Sequence, residues 1–211
     1  MNPGIPVGVI EEDLLRLEPL RADHAPALFE ASDESCFRWW GDRPVTPDEA
    51  GMLDMVERHI EHAATLHYAV FERATGACLG TSSYLDIRPM HRGLEIGWTW
   101  ITRARRGTWV NPAMKLLMLR HAFETKLFTP LGASPGGPAI RVQLKTHASN
   151  AQSRAAIGKI GARFEGVLRN HYVMPDGSLR DTAVYSITSS EWAFVSERLR
   201  ARLARAIDDT R

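Results

Sequence analysis

A chain of 211 residues with 44% hydrophobic and 24% charged residues is long enough to bury one sizeable core, which predicts a single domain over residues 1–211, with residues 190–211 as a helical extension. The formal net charge of +1 gives no overall field that would recruit nucleic acid or an anionic membrane, so any anion site must be local. Cys36 and Cys78 show no metal or redox spacing, and neither a signal-peptide pattern nor a membrane-spanning apolar run occurs, so we expect a cytoplasmic protein.

Hydrophobic periodicity predicts strands and helices that alternate along the chain. The predicted strands cover residues 14–20, 66–72, 78–87, 93–102, 139–147, 163–173 and 182–188. The predicted helices cover residues 21–34, 47–64, 112–126, 150–160 and 190–206. Thr75-Gly76 suits a hairpin turn, Thr46 suits a helix start, and Gly161 suits a helix end. The strand, helix and strand between residues 93 and 147 predict a parallel crossover.

The loop TRARRGTWVN, residues 102–111, joins a predicted strand to the predicted start of a helix. Backbone N–H groups at a helix start lack intrahelical partners and the helix dipole is positive there, so a phosphate group fits this position. Arg105 and Arg106 can add charge, Gly107 permits close backbone approach, and Asn111 can cap the helix. An ordinary capped helix beside solvated arginines fits the same residues.

The segments that follow this loop carry a family resemblance. In chain order they are LEIGWTWI, RRGTWVN, RVQLKTHASNAQSRAAIGKIGARFEGVLRNHYVMPDGSLRD and TAVYSI, and the third contains Asn150, Ser153 and Gly161 in an N-x-x-S…G pattern. From Leu14 to Trp192 the chain resembles the GNAT superfamily of acyl-CoA-dependent N-acyltransferases. Within that superfamily it is most similar to the branch of ribosomal-protein N-terminal acetyltransferases.

The resemblance implies an α/β fold with a mixed, mostly antiparallel sheet flanked by helices. The sheet would split into a V between two central parallel strands, Gly93 to Thr102 and Ala139 to His147. Acetyl-CoA would be the co-substrate, no metal would be needed, and a homodimer would be an expected assembly. The residues expected to bind the cofactor are Ile101, Arg105, Arg106, Gly107, Thr108, Val110, Asn111, Asn150 and Ser153.

Two motifs depart from the family pattern. The usual pyrophosphate motif is Q/R-x-x-G-x-G/A, and placing its first glycine on Gly107 puts Ala104 at the first position and Trp109 at the last. Many members place a general-acid tyrosine seven residues after the asparagine, where this chain has Ile157. The resemblance to the ribosomal-protein branch implies that Ser153 takes the acid role instead.

Acyl transfer from a thioester to an amine needs a base, donors for the oxyanion and a group that stabilises the leaving thiolate. Glu95, on the strand before the loop, is the predicted base, acting on the ammonium through a water; a solvent-facing glutamate is the alternative. Ser153 is predicted to donate a hydrogen bond to the sulfur, and a serine that only bonds the helix backbone is its alternative. Asn150 is predicted to bind the pantetheine arm, with a simple helix cap as its alternative.

Trp39 and Trp40 are predicted to roof the acceptor pocket, although core packing explains them equally well. His59, His62 and His67 lack the spacing of a metal site and are predicted to lie on a solvated helix.

We therefore expect an acetyl-CoA-dependent N-acetyltransferase that acts on a primary amine, such as a protein N-terminus or a small molecule, in a ternary complex. A non-catalytic acyl-CoA-binding or regulatory module is the alternative, because Ala104, Trp109 and Ile157 depart from the motifs. An RNA-binding protein that uses the arginine loop and the arginine-rich terminal helix is a weaker alternative, and neither nucleic acid nor a membrane is an expected partner.

Overall fold

The computed structural model of the protein describes residues 5–62 and 64–209, and it has one eight-stranded sheet with helices on both faces. The strands are β1 (Ile10–Glu11), β2 (Leu15–Pro19), β3 (Leu66–Glu72), β4 (Cys78–Arg88), β5 (Gly93–Ile101), β6 (Arg141–His147), β7 (Arg163–Val173) and β8 (Leu179–Thr188). The helices are α1 (Ala25–Ala31), α2 (Glu34–Phe37), α3 (Glu49–Glu61), α4 (Val110–Glu124), α5 (Ala151–Ile160) and α6 (Trp192–Asp208).

The strand order is β1-β2-β3-β4-β5-β6-β8-β7, and only β5 and β6 pair in parallel among the described strands. Their pairing starts at Gly93 with Arg141 and stops at Glu95 with Gln143, although β5 continues to Ile101 and β6 to His147. The sheet therefore opens into a V after Glu95. This confirms the predicted α/β fold and its split between two parallel strands.

Alternating side chains on the strands supply two separate cores. On β3, Tyr68 packs in the cluster that contains Met114 of α4, whereas the adjacent Ala69 packs in the cluster that contains Leu28 of α1 and Met52 of α3. Successive strand residues point to opposite faces, so α1, α2 and α3 cover one face of the sheet while α4, α5 and α6 cover the other.

Helix starts differ from the prediction more than the other elements do. α3 is capped by Asp48, whose carboxylate accepts a hydrogen bond from the Gly51 N–H at 2.8 Å, and Thr46 donates to that carboxylate at 2.7 Å. α4 already begins at Val110, so Asn111 lies inside the first turn instead of capping it. The hairpin turn at Gly76 (φ +70°), the end of α5 at Gly161 (φ +105°) and the parallel crossover lie as predicted.

α6 is part of the core of the domain. Trp192 stacks on Phe123 of α4 with ring centroids 5.3 Å apart, its indole Nε1 donates to Glu124 at 2.9 Å, and Leu199 is fully buried. Residues 210 and 211 of the predicted extension lie outside the described residues. In the part of the chain that the structure describes, no helix combines the length and apolar character that crossing a bilayer requires.

Candidate active site

The V opens into a cleft of about 990 Å³. One group of lining residues, the helix wall, comes from the loop before α4 and from the starts of α4 and α5: Arg106, Gly107, Asn111, Asn150, Ser153 and Ile157. A second group, the aromatic wall, comes from the segment after α2, the end of β6 and the β7–β8 hairpin: Trp39, Trp40, His147, Tyr172 and Arg180. Glu95 and Ile101 of β5 also line the cleft, so most of the predicted site residues meet there.

Gly107 adopts a left-handed backbone with φ +80°, and no atom lies within 4 Å of the position that a Cβ would occupy. The backbone conformation, and not a lack of space, therefore favours glycine here. Trp109, at the last position of the motif, has φ −64° and buries its side chain in the core. Its indole is not among the groups that line the cleft.

The guanidinium groups of the loop are engaged within the protein. Arg105 donates from Nη2 to both carboxylate oxygens of Glu72 at 3.1 Å, and it does not line the cleft. Arg106 donates to the carbonyl of Ile101 at 2.9 Å and to Ser35 of α2 at 2.6 Å. Arg106 therefore ties α2 to the end of β5, and phosphate binding by either guanidinium stays a prediction.

Thr108, Val110 and Asn111 shape the first turn of α4. The Thr108 hydroxyl donates to the Arg105 carbonyl at 2.8 Å and accepts from the Val110 N–H at 3.4 Å, while the Val110 side chain is fully buried. Asn111 follows with an N–H at the second helical position, and the next residue, Pro112, has none. The amide of Asn111 is thus a natural donor for an anion in the cleft.

Asn150 caps α5 by accepting a hydrogen bond on its side-chain oxygen from the Ser153 N–H at 3.0 Å. The capping interpretation of Asn150 therefore holds, and its amide NH₂ group still has two donors to offer a ligand. Ser153, in the first turn of α5, lines the cleft. Ile157, where many relatives place tyrosine, is 6% exposed and packs in the core.

Glu95 lies where the pairing of β5 and β6 ends, and it is 7% exposed. Its carboxylate forms an ion pair with Lys145 of β6 at 2.8 Å. Burial raises the pKa of Glu95, and the charge of Lys145 opposes this only in part. Burial also lowers the pKa of Lys145, but the charge and hydrogen bond of Glu95 outweigh this effect and leave it raised. Glu95 is therefore a buried, paired carboxylate and not the solvent-facing residue of the alternative interpretation.

A β-bulge re-aims the middle of β5. The pairs Thr81 with Trp100 and Ser83 with Gly97 leave one residue of β4 opposite two of β5, and Trp98 takes a left-handed φ of +42°. Beside this bulge, Lys115 of α4 donates to Thr99 at 2.7 Å and to Ser82 at 3.2 Å.

Lys115 is 5% exposed, lines the cleft, and has no carboxylate within 4.0 Å among the described residues. Burial lowers its pKa to about 7. A lysine in this setting can gain or lose a proton near neutral pH.

Both tryptophans predicted to roof the acceptor pocket line the cleft. Trp39 lies beside His147 with ring centroids 5.0 Å apart, and Trp40 packs on Trp98 at 6.0 Å. Trp40 also packs against the buried Phe37, so it serves the core as well as the cleft.

The prediction of solvated histidines is wrong for His59 and His67, because both are 5% exposed. Their rings stack on each other at 4.9 Å and on Trp98 at 4.5 and 5.1 Å. Burial and the neighbouring histidines lower the pKa of His67 to about 3. No three His, Cys, Asp or Glu side chains within residues 5–62 and 64–209 are grouped as a metal site requires.

Sequence reasoning did not find Lys115, Lys145 or Arg180. Lys115 left a usable signal, because it is the only charged residue in the mostly apolar run from Val110 to Leu119 of α4. Lys145 and Arg180 stand among alternating polar residues of their strands, and only the fold brings them to Glu95 and Tyr172.

The comparisons with known proteins agree with this architecture. Residues 15–163 match the family described as the acetyltransferase (GNAT) domain. An acetyltransferase structure from T. thermophilus is 34% identical with a TM-score of 0.80, over 93% of this chain and 97% of that one. A GCN5-related N-acetyltransferase from Brucella melitensis is 28% identical with a TM-score of 0.81, over 95% and 87%.

Mycobacterium smegmatis RimJ in complex with CoA-disulfide is 20% identical with a TM-score of 0.70 over 93% of each chain, a likeness of fold alone. A search of curated proteins finds no match. The family model covers well over half of the chain, and the chain belongs to the GNAT family of acetyltransferases.

Proposed function

We propose that the protein transfers an acetyl group from acetyl-CoA directly to a primary amine while both substrates are bound. The observation that carries the proposal is the V itself, in which two parallel strands part immediately beyond a buried carboxylate, Glu95. Beyond Glu95 and Gln143, the peptide groups of β5 and β6 that point toward each other are no longer paired across the two strands and face a cleft. A slender substrate arm with amide groups of its own can pair with them.

The helix wall suits the phosphate end of acetyl-CoA. The left-handed turn at Gly107 and the free amide of Asn111 present backbone donors at the positive end of the fifteen-residue α4. In this proposal the backbone binds the pyrophosphate, because Arg105 and Arg106 are held by Glu72, Ile101 and Ser35. Asn150 would offer its amide NH₂ group to the pantetheine arm.

Proton removal from the attacking ammonium is assigned to Glu95. Its raised pKa makes it a stronger base than an exposed carboxylate, while the ion pair with Lys145 holds its side chain in one position. A water between Glu95 and the amine would carry the proton.

Ser153 is assigned to the leaving thiolate. With Ile157 unable to donate, the Ser153 hydroxyl on the helix wall would give the sulfur a hydrogen bond. A serine hydroxyl holds its proton far more tightly than a thiol does, so this contact would stabilise the thiolate without transferring a proton fully.

The acceptor would enter along the aromatic wall, where Trp39 and Trp40 lie. The resemblance to ribosomal-protein N-terminal acetyltransferases favours a protein N-terminus, and a small-molecule amine presents the same nucleophile. The assembly, in this proposal, is a single domain that works in the cytoplasm, with a homodimer as a further expectation.

The test is release of free thiol from acetyl-CoA in the presence of a panel of amines and N-terminal peptides, with Glu95→Gln as the matched control. Amine-dependent release that falls in the control would support the proposal. Binding of acetyl-CoA without thiol release from any acceptor would favour the non-catalytic acyl-CoA-binding module instead.

A further inference from the structure

Arg180 of β8 lies in the wall of the cleft and forms no ion pair with any residue that the structure describes. Its guanidinium lies over the ring of Tyr172, 5.3 Å from the centroid, and Tyr172 is the residue that faces it on β7. Its Nε atom is buried and has no hydrogen-bond partner, and no carboxylate lies within 4.0 Å of it among the described residues. Leaving a buried donor without a partner is costly, and the residue as a whole is only half-buried, so a ligand in the cleft can reach its guanidinium.

The carboxylates that line the same cleft are already neutralised. Glu95 pairs with Lys145 at 2.8 Å, Asp86 with Arg88 at 3.5 Å, and Asp42 with Arg58 at 2.8 Å. Each pair balances one negative charge with one positive charge. Within the described part of the chain, two cations of the cleft are left without a carboxylate. The ammonium of Lys115 donates to Thr99 at 2.7 Å and to Ser82 at 3.2 Å, whereas Arg180 has, among the same described residues, only the ring of Tyr172.

The positive charge of Arg180 affects the pKa values of two nearby histidines, His147 and His171. Burial lowers the pKa of His147, and the charge of Arg180 lowers it further, while Asp181 opposes this in part. Burial likewise lowers the pKa of His171, and Lys145 and Arg180 both add to this effect. The aromatic wall, which presents both Arg180 and His147 to the cleft, therefore carries a local positive potential although the whole chain is nearly neutral.

We propose that Arg180 binds a carboxylate of the acceptor, so that the amines acetylated by this protein are ones that carry an acidic group close to the reacting nitrogen. The planar guanidinium can donate two parallel hydrogen bonds to a carboxylate. The Tyr172 ring orients that fork, because it lies beneath it. The inference rests on the proposed acetyltransferase activity and narrows the substrate class of that activity.

Lys145 and His147 also lie near this wall, but both are less able than Arg180 to bind the carboxylate of an acceptor. Lys145 is held by Glu95, and its release would leave a buried carboxylate alone. His147 already accepts a hydrogen bond on Nδ1 from the Ser149 N–H at 3.0 Å, which fixes its ring. Arg180 retains donors for a ligand.

The experiment compares pairs of acceptors that differ only in their acidic group: linear ω-amino acids of two to six carbons and the corresponding amides. The rate of thiol release gives kcat/KM for each acceptor with the parent protein, with Arg180→Gln and with Arg180→Lys. Arg169→Gln, an exposed arginine on β7 that does not line the cleft, is the matched control.

The parent should prefer the carboxylate of each pair at one chain length. Arg180→Gln should lower kcat/KM for the carboxylate by about 10- to 100-fold, the scale of one lost charge-assisted hydrogen bond pair, and should change the amide little. For the carboxylate acceptor, kcat/KM of Arg180→Lys should lie between the values of the parent and of Arg180→Gln. Arg169→Gln should have the same kcat/KM as the parent.

An equal loss for acids and amides would overturn the inference and leave the activity standing. A loss that appears as weaker acetyl-CoA binding in calorimetry would also overturn it, since Arg180 would then serve the cofactor. Thermal unfolding of each variant checks that it folds. If no amine is turned over by the folded parent protein, the proposed function fails and this inference fails with it.

Discussion

The two walls of the cleft are built in different ways. The helix wall consists of the starts of two helices, where local rules of turn and cap place backbone donors, as at Gly107 and Asn150. The aromatic wall is assembled from side chains far apart in the chain, such as Trp39, His147 and Arg180. A wall made of backbone suits a ligand that never changes, whereas a wall made of side chains can be altered to suit a new acceptor. Substitutions should therefore separate cofactor binding from acceptor choice.

The largest effect is expected at Glu95, where the two walls meet. Glu95→Gln should lower turnover by about 10²- to 10⁴-fold, the usual contribution of a general base, with little change in acetyl-CoA affinity. The deficit should shrink as pH rises, because the free amine becomes abundant. Rate measurements between pH 6.5 and about 9.5 check this.

Lys145→Met is the control for the ion pair, since it leaves the carboxylate in place. If both variants show the same pH profile as the parent protein, Glu95 has only a positioning role. If turnover falls in Glu95→Gln and not in Lys145→Met, the proton transfer is assigned to the Glu95 carboxylate and not to the ion pair.

A smaller loss of turnover is expected for Ser153→Ala, about 10- to 100-fold, because one hydrogen bond to a developing charge is removed. The helix cap should survive, since Asn150 accepts from the backbone of residue 153 and not from its side chain. Ser153→Thr, which keeps the hydroxyl, should retain most activity. Acyl donors whose thiols differ in pKa give the decisive measurement: slopes equal to those of the parent would remove Ser153 from the departure of the thiolate.

Cofactor affinity should fall by about tenfold or more in Gly107→Val, because a β-branched residue is strained at φ +80° and the turn would change. Gly158→Ala is the matched control, since a Cβ there also meets no atom within 4 Å and α5 has an ordinary helical backbone at that residue. Calorimetry with acetyl-CoA compares the two. If Gly107→Val lost acceptor selectivity and kept its affinity for acetyl-CoA, the helix wall would not be the part of the cleft that binds the cofactor.

Lys115 should make stability depend on pH. Its pKa is about 7 in the folded protein and 10.5 in the unfolded chain, so between these values the unfolded chain binds more protons and stability rises with pH. The slope cannot exceed about 1.4 kcal/mol per pH unit. Lys115→Met should remove this slope, and Ser82 and Thr99 can still bond to each other at 2.8 Å.

Denaturant unfolding of both proteins from pH 7 to 10 isolates the contribution of Lys115, since other groups titrate alike in the two. Parallel curves would mean that Lys115 keeps its charge when buried.

The smallest effect is expected on the aromatic wall. Trp39→Ala should raise the KM of the acceptor by about two- to tenfold, the scale of one aromatic contact, and leave acetyl-CoA affinity unchanged. Phe194→Ala, at an exposed aromatic position on α6, should have no effect. A change in cofactor affinity with Trp39→Ala would show that the two walls are not independent.

The contrast between local structure and contacts distant in the chain also explains which parts of the fold the sequence could predict. Strands from β2 to β8, the crossover and the end of α5 at Gly161 follow from periodicity and turn chemistry, which are local. The two-residue β1 and the four-residue α2 are too short to show a period.

The candidate site divides in the same way. Glu95 could be predicted because strand, loop and helix follow one another in the chain, whereas Ser153 is predicted from the N-x-x-S…G pattern of the family resemblance. The ion pair of Glu95 with Lys145, and the packing of Arg180 over Tyr172, depend on which strands lie side by side.

The opening of the sheet beyond Glu95 also gives this protein a sheet edge in its interior. Exposed edges invite pairing with another chain, but helices flank this one on both faces, so only a thin ligand can reach it. The arm of a bound cofactor would then act as a substitute strand. Amide hydrogens between residues 97 and 101 that face the opening should exchange rapidly with solvent in the free protein and slowly once that strand is in place.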